Sequence, residues 1–328
     1  MNFSVPRVAV YYDVLPQTNF RNDGAPLFMY YNFRKLLNGD TFLKMKKDGM
    51  PDNTNVVHLS PINPLAQHGH FDLNVLVDYG EDTLGIPLDW EIPHPNVYWA
   101  FDTHIDSKGY QYRLNRAKHF DHVFLCHKAQ IEEFIRDGID PQKIHYLPVA
   151  AETDCYKPYP VMPKWNWSFI GHMNSLHRID LLDRFIREFG LGEDKGYLGY
   201  RIPNIQGHCV LDDAAKKFSM SRITINASIK KDLNMRVFES MACKTVLLTD
   251  DISTIHEFFK DGEHLVLYKD IDDAVEKARS LMADPQRRAA IAESGYQEVV
   301  AKHTYNHRAR EILKTCIQWE PKGELVKC

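Results

Sequence analysis

Short apolar runs rich in β-formers alternate with helical patterns along the whole chain, and this alternation excludes most folds at once. Strands joined through helix-length segments cannot pair as hairpins, so they line up in parallel and are covered by helices. In the first half the strands are expected at Arg7–Asp13, Asn55–Leu59, Leu73–Asp78, Val97–Asp102, His122–Cys126 and Lys143–Ala150. The helices between them are expected at Pro26–Leu37, Gly109–His119 and Ala129–Asp137, the last stopped by Gly138 and followed by Pro141. The stretch "TDCYKPYPVMPKWNW" then places three prolines in residues 158–163, where neither a helix nor a central strand is comfortable.

The pattern starts again after it. Strands are expected at "WSFIG", Tyr197–Tyr200, Ile223–Asn226, Thr245–Thr249 and Leu265–Tyr268. Helices are expected at Ile179–Phe189, Leu211–Phe218, Leu233–Cys243, Asp272–Met282, Pro285–Lys302 and Tyr305–Ile317. A chain of 328 residues is too long for one ordinary core and suits two domains. The division is drawn at residues 1–152, a linker at 153–166, a second domain at 167–304, and a closing helix with its tail at 305–328.

With 44% hydrophobic and 26% charged residues this is the composition of a soluble globular protein. A net charge of -4 offers no footprint for DNA or RNA and argues against a nucleic-acid partner. No run reaches the roughly 18–20 apolar residues that span a bilayer, and Met1–Val10 lacks the pattern of a secretory leader. Six scattered cysteines without a C-x-x-C pair read as reduced thiols of a cytoplasmic protein.

In an open α/β sheet, ligands sit outside the carboxyl ends of the strands, where helix N-termini present unpaired N–H groups. The segment from Ile223 has that form: strand "ITIN", loop "ASIKKD", then a helix with Asp232 as its expected N-cap. A diphosphate would be held by the N–H groups near Leu233, Asn234 and Met235, with Arg236 as a charge-assisted clamp. Glu239 shares the face of Arg236 and could accept hydrogen bonds from the two hydroxyls of a ribose. The plainer reading is a surface ion pair worth well under ~1 kcal/mol.

From about residue 167 to residue 313, "WSFIGHMNSLHR", "SRITINAS", "NMRVFESMACKTVLLTDD", "HEFFKDGEHLVLYKD" and "HTYNHRAREIL" occur in order. They resemble the C-terminal domain of group 1 glycosyltransferases, most closely the CgeB-like spore maturation branch. In the first half, "VYWAFDTH" is similar to the strand bordering the cleft in those proteins. The resemblance implies a GT-B architecture: two Rossmann-like parallel-sheet domains facing a cleft, with the closing helix packing back on the first domain. It implies a nucleotide-diphosphate sugar as donor, a carbohydrate, glycan or other hydroxyl acceptor, retention of configuration, and no metal or other cofactor. Carried over, Glu239 would hold the ribose, while Arg236 with Asn226 and Ser228 would lie beside the phosphates. Gly171 would let the backbone approach the diphosphate, and Arg178 would help neutralise it.

Two positions depart from that family. Lys231 and Asp232 stand where a first glutamate often touches the donor sugar, eight residues before Glu239. This keeps open a non-catalytic nucleotide- or sugar-binding protein, and a GT-B nucleotide-sugar epimerase. Lys244 stands where glycine usually ends the helix in a left-handed conformation, so a different turn or a mildly strained one is expected.

On the acceptor side, Asp102 and His104 end the strand Val97–Phe101, placed to orient or deprotonate an acceptor hydroxyl, or in the case of His104 to hydrogen-bond the donor sugar. Gly24 lies in the loop between the first strand and the first helix. The Asp-x-Asp of "KDIDD" precedes a helix and reads as a cap, and sixteen histidines show no recognised ligand spacing, so no metal site is expected. Neither G-x-G-x-x-G after the first strand nor a P-loop occurs, which excludes the common dinucleotide and nucleoside-triphosphate folds.

Overall fold

The computed structural model describes residues 5–11, 24–40, 55–59, 69–78, 92–104, 106–173, 175–199 and 211–321. The chain divides into two compact units, one made of Met1–Pro148 with Tyr305–Cys328 and the other of Val149–Thr304. Residues 153–166 group with the second unit, and Cys155 and Tyr156 are buried in it. No helix among the described residues is long and apolar enough to cross a membrane.

The first unit is built on strands β1 (Val8–Tyr11), β2 (Val56–Leu59), β3 (Leu73–Asp78), β4 (Asn96–Ala100), β5 (His122–Leu125) and β6 (Ile144–Tyr146). They form one sheet in the order β2-β1-β3-β4-β5-β6, every neighbour parallel. Strands β1, β3 and β4 are buried along their whole length, as unbroken apolar runs demand when helices cover both faces. Helix α1 (Ala25–Asn38) starts after Gly24 with a proline in its first turn and stops at Gly39 in the left-handed region (φ 67°). Helices α2 (Ser107–Ala117), capped by Asp106, and α3 (Gln130–Arg136) complete the crossovers among the described residues.

In the second unit the sheet joins β7 (Trp165–Ile170), β8 (Gly196–Gly199), β9 (Ser221–Ile225), β10 (Val246–Asp250) and β11 (Val266–Tyr268) in the order β8-β7-β9-β10-β11, again all parallel. Its helices are α4 (Leu176–Phe189), α5 (Leu211–Ser219), α6 (Met235–Ala242), α7 (Ile271–Ala283) and α8 (Pro285–Lys302). The last helix, α9 (Tyr305–Ile317), belongs to the first unit. It packs on α1, with Phe28 and Tyr305 ring centroids 5.1 Å apart, and Arg308 Nε donates to the Pro148 carbonyl at 2.7 Å.

Both sheets share one winding pattern. The second strand lies on one side of the first and the third on the other, so the direction of winding reverses between β1 and β3, and between β7 and β9. At such a switch point the connections leave in opposite directions and open a crevice at the carboxyl ends of the two strands.

Several helix starts differ from the sequence reading by one to three residues, and two of them turn on their caps. Ser175 caps α4, its Oγ accepting from Arg178 N–H at 3.3 Å, so the helix begins three residues before Ile179. Asp232 does not cap α6: its carboxylate accepts from Ile229 N–H at 2.8 Å and closes the preceding loop, and the cap position falls to Asn234. Asp270 does cap α7, accepting from Asp273 N–H at 2.9 Å. No disulfide forms among the described cysteines, and Cys126, Cys155 and Cys243 are buried.

Lys244 adopts the left-handed conformation (φ 59°) in which a glycine costs nothing, so of the two turns expected there the strained one is present. Its ammonium pairs with Glu293, an exposed contact worth at most about 1 kcal/mol. The left-handed backbone costs an L-residue roughly 1–2 kcal/mol. Lys244→Gly and Lys244→Ala both lose the ion pair, but only glycine removes the strain. Lys244→Gly should therefore be more stable than Lys244→Ala by about 1 kcal/mol in chemical denaturation; equal stabilities would mean that the turn is unstrained.

Candidate functional site

The carboxyl ends of β7 and β9 deliver Ile170–Gly171–His172 and Asn226–Ala227–Ser228 to the switch point of the second sheet. Two arginines lock these segments together. Arg236, on the first turn of α6, donates from Nε to the Ile170 carbonyl and from Nη1 to Asn226 Oδ1 at 2.5 Å, with its guanidinium carbon 4.6 Å from the centre of the Phe169 ring. Arg178, on the first turn of α4, donates from Nε to the Ala227 carbonyl at 2.8 Å and from Nη1 to the His172 carbonyl at 3.0 Å. Each arginine thus ties two strand ends or their loops, and each is almost wholly buried, at 7% and 3% exposure.

Gly171 acquires a reason that its sequence position does not reveal. A Cβ there would collide with the guanidinium of Arg236, so the absent side chain is what gives the arginine its seat. The remaining loop contacts fix the other strand ends. Asn226 donates to Thr249 Oγ1 at 2.9 Å, and its carbonyl accepts from Tyr268 Oη at 2.8 Å. Ser228 is gripped twice by Asp250, which accepts from its N–H at 2.9 Å and from its hydroxyl.

Carbonyl and amide oxygens accept the hydrogen bonds that orient both guanidinium groups; such dipoles steer a charge without cancelling it. Burial holds the Arg178 guanidinium below its ordinary pKa, opposed by the charges of Asp232 and Asp250 and by Tyr268. The N-terminus of α6 adds its partial positive charge. There Asn234 occupies the cap position without capping: its side chain accepts from no helix N–H, and its buried amide nitrogen and oxygen have no hydrogen-bond partner among the described residues. A buried polar group in that state calls for an explanation, and an external ligand is one. Met235 follows it, buried.

Glu239 lies one turn further along α6 at 1% exposure, close enough to Cys243 that its charge adds to burial in raising the thiol pKa. Neither Arg236 nor Glu239 is on the surface, which removes the reading of an ordinary surface ion pair. Gly171, Arg178, Asn226, Ser228, Asn234, Met235, Arg236 and Glu239 therefore all lie at the β7 and β9 ends or on the helices that follow them. Lys230 and Lys231, both left-handed (φ 53° and 58°), turn the loop between β9 and α6.

The first unit holds the other candidates. Asp102 follows β4 in a left-handed conformation (φ 51°), and burial raises its carboxyl pKa against the lowering influence of Arg113. His104, two residues on, sits with its ring centroid 3.8 Å from that of His127, which follows β5. Gly24 is the extended residue preceding α1, its carbonyl accepting from Phe28 N–H at 3.1 Å; residues 12–23, the rest of its loop, lie outside the described residues.

Sequence reasoning missed Asp250, Tyr268 and His127. Asp250 closes the apolar strand "VLLTD" at its carboxyl end, where folds of this kind place ligand-binding residues. His127 carries no local signal, because only the pairing of β4 with β5 brings it to His104.

Comparison with known proteins bears on the family and the fold. Residues 186–314 match the model of a family described as glycosyl transferase-like. No curated protein sequence matches the chain. Among solved structures, Anabaena HepE in complex with UDP and glucose is similar at 12% identity and a TM-score of 0.68, over 96% of this chain and 100% of that one. A glycosyltransferase from Rickettsia africae is similar at 12% identity and a TM-score of 0.65, over 97% and 100%. Staphylococcus aureus TarM, solved with Fondaparinux, alpha-GlcNAc-glycerol and UDP, is similar at 12% identity and a TM-score of 0.57, over 74% and 55%. The fold is GT-B: two doubly wound parallel α/β units in succession.

If Gly171 exists to seat Arg236, the two are energetically coupled. Gly171→Ala should cost about 1–3 kcal/mol by overpacking, and most of that cost should vanish in an Arg236→Ala background. Additive costs in the double-mutant cycle would dissociate the glycine from the arginine.

Proposed function

We propose that the chain is a GT-B glycosyltransferase of the group 1 type, which moves a sugar from a nucleotide-diphosphate donor to a hydroxyl group of a carbohydrate, glycan or other acceptor. One observation carries this reading: two buried guanidinium groups, held by neutral oxygens, stand with the N-terminus of α6 at the switch point of the second sheet. An arrangement so rich in donors suits a diphosphate. The match of residues 186–314 to a glycosyl transferase-like family supports the same conclusion.

In the transfer, the bond between the anomeric carbon and the diphosphate oxygen breaks, and its electron pair leaves with the diphosphate. The acceptor oxygen bonds the same carbon and gives up its proton, in this reading to His104 or Asp102 of the first unit, where Gly24 also belongs to the acceptor side. The charge that grows on the leaving group is met by Arg178, Arg236 and the N–H groups at Asn234 and Met235, which are already oriented and need no reorganisation. These groups supply what a metal would supply at the diphosphate, so donor binding is proposed to be independent of metal. Retention of configuration is proposed from the group 1 resemblance. Gly171, Asn226 and Ser228 shape the phosphate loops, and Glu239 accepts from the ribose hydroxyls.

The replacement of the first glutamate by Lys231 and Asp232 favours a second reading, in which the protein binds nucleotide without turning it over. Donor turnover decides between them, and an epimerase would convert its donor with water as the only potential acceptor.

UDP, GDP, ADP, CMP and dTDP should be compared by thermal shift with and without magnesium. UDP, the nucleotide bound in the HepE and TarM structures, is expected to raise the melting temperature without magnesium. A ligand at a hundred times its Kd adds about 2.7 kcal/mol of stability. Glu239→Ala should remove most of the shift while leaving the far-UV circular dichroism unchanged. An undiminished shift for every nucleotide would end the assignment of Glu239 to the ribose, and a shift that requires magnesium would end metal-independent binding.

A further inference from the structure

The expectation of no metal site rested in part on the spacing of histidines along the sequence, and parallel pairing defeats spacing. Strands β4 and β5 run side by side with Ala100 opposite Leu125. Two residues further along each segment, the same register sets Asp102 beside His127, and His104 lies two residues beyond Asp102. The Cys126 N–H donates to the Ala100 carbonyl at 3.3 Å and continues the pairing towards these residues. One potential ligand atom from each of Asp102, His104 and His127 lies within 4.8 Å of the other two.

We infer that Asp102, His104 and His127 form a binding site for a borderline divalent transition metal of the zinc, cobalt or nickel class. Bonds of ~2.0–2.1 Å to three ligands bring their donor atoms within about 4 Å of one another, a contraction that side-chain rotation supplies. The two imidazole rings, 3.8 Å apart between centroids, are inclined at 51° and so are not stacked face to face. Asp102 is held in the left-handed region (φ 51°), a conformation that a non-glycine residue keeps only where its surroundings impose it, and such residues gather at functional sites.

The donor set and its neighbours select the metal. Two nitrogens and one carboxylate suit zinc, cobalt or nickel, whereas magnesium and calcium prefer an all-oxygen shell. Arg113 sharpens the choice. Its Nη1 donates to the Asp102 carbonyl at 3.4 Å, and its Nε lies 4.0 Å from the Asp78 carboxylate, so a fixed positive charge borders the site. A cation held by electrostatics alone is repelled there; one held through imidazole lone pairs tolerates it. Three protein ligands leave at least one coordination position open to water or a hydroxyl compound.

This site lies in the first unit and its occupancy is independent of the nucleotide function proposed for the second. A metal bound to Asp102 and His104 would occupy the groups to which the acceptor proton is assigned, so loading should oppose transfer.

The test uses the full chain, stripped of metal with a chelator and titrated with cobalt(II). The expected result is a visible d–d absorption that saturates at one equivalent, is displaced by zinc and is indifferent to magnesium. His104→Ala and His127→Ala should each weaken cobalt binding by at least about tenfold, since a direct ligand costs no less than the outer partners of ligands do. Zinc should also protect His104 and His127 of the unmodified chain from diethylpyrocarbonate, read by peptide mass spectrometry, which covers the case of a variant that fails to fold. Absence of cobalt binding, binding unchanged in both variants, or protection confined to other histidines would each overturn the inference.

Discussion

The second unit depends on one side chain being in one place. Arg236 joins the carboxyl end of β7, through the Ile170 carbonyl, to the carboxyl end of β9, through the Asn226 amide, while its plane rests near the Phe169 ring. These are the two strands between which the winding reverses, and the register of their pairing runs no further than Ser168 opposite Thr224, short of both strand ends. A long planar cation is suited to that gap because its several donors lie in fixed directions, and a lysine in its place would offer a point charge without the fork. Gly171 and Asn226 follow from it, the one by leaving space and the other by supplying an oxygen. Arg178 repeats the device one layer over, tying Ala227 to His172.

Burying two guanidinium groups without relaxing their charge requires hydrogen-bond partners that do not neutralise them. Carbonyl oxygens meet that need, since each carries a dipole rather than a full charge. Asp250 illustrates the other half of the design: its carboxylate is spent on the Ser228 N–H and hydroxyl, and so fixes the loop while also acting on Arg178 through its charge. The loops therefore combine rigid geometry with positive charge held by uncharged oxygens.

The fold was legible because doubly wound sheets write themselves as repeated units: a buried strand such as "VAVY" or "LNVLVD" reads as apolar from end to end, and proline and glycine punctuate the connections. Helix ends were less legible. Asp232 has the right chemistry for an N-cap and the right place before a helical pattern, yet the loop of Lys230 and Lys231 turns the chain so that its carboxylate meets Ile229 instead. At the site, Asp102 and His104 could be named from their place at a strand end, and Gly171, Asn226 and Ser228 through the family resemblance. Their partners could not. That Gly171 touches Arg236, 65 positions away, or that His127 meets His104 across a strand pair, is set by register and crossover, which no local pattern encodes.

The two units use one topology for opposite chemistry. Beyond β7 and β9 stand two guanidinium groups, a helix N-terminus and an Asn234 side chain without a partner among the described residues, together with the carboxylates of Asp232 and Glu239. Beyond β4 and β5 the described side chains include the Asp102 carboxylate and the imidazoles of His104 and His127, bordered by the Arg113 guanidinium. That contrast does not come from equivalent places, since β7 and β9 flank the reversal of winding in their sheet and β4 and β5 lie to one side of it in theirs. It arises from side chains at a few positions just past the last ladder bond, where substitution changes chemistry without disturbing the core. A transfer reaction needs both characters, one to receive the negative charge of a leaving group and one to receive the proton of an incoming hydroxyl.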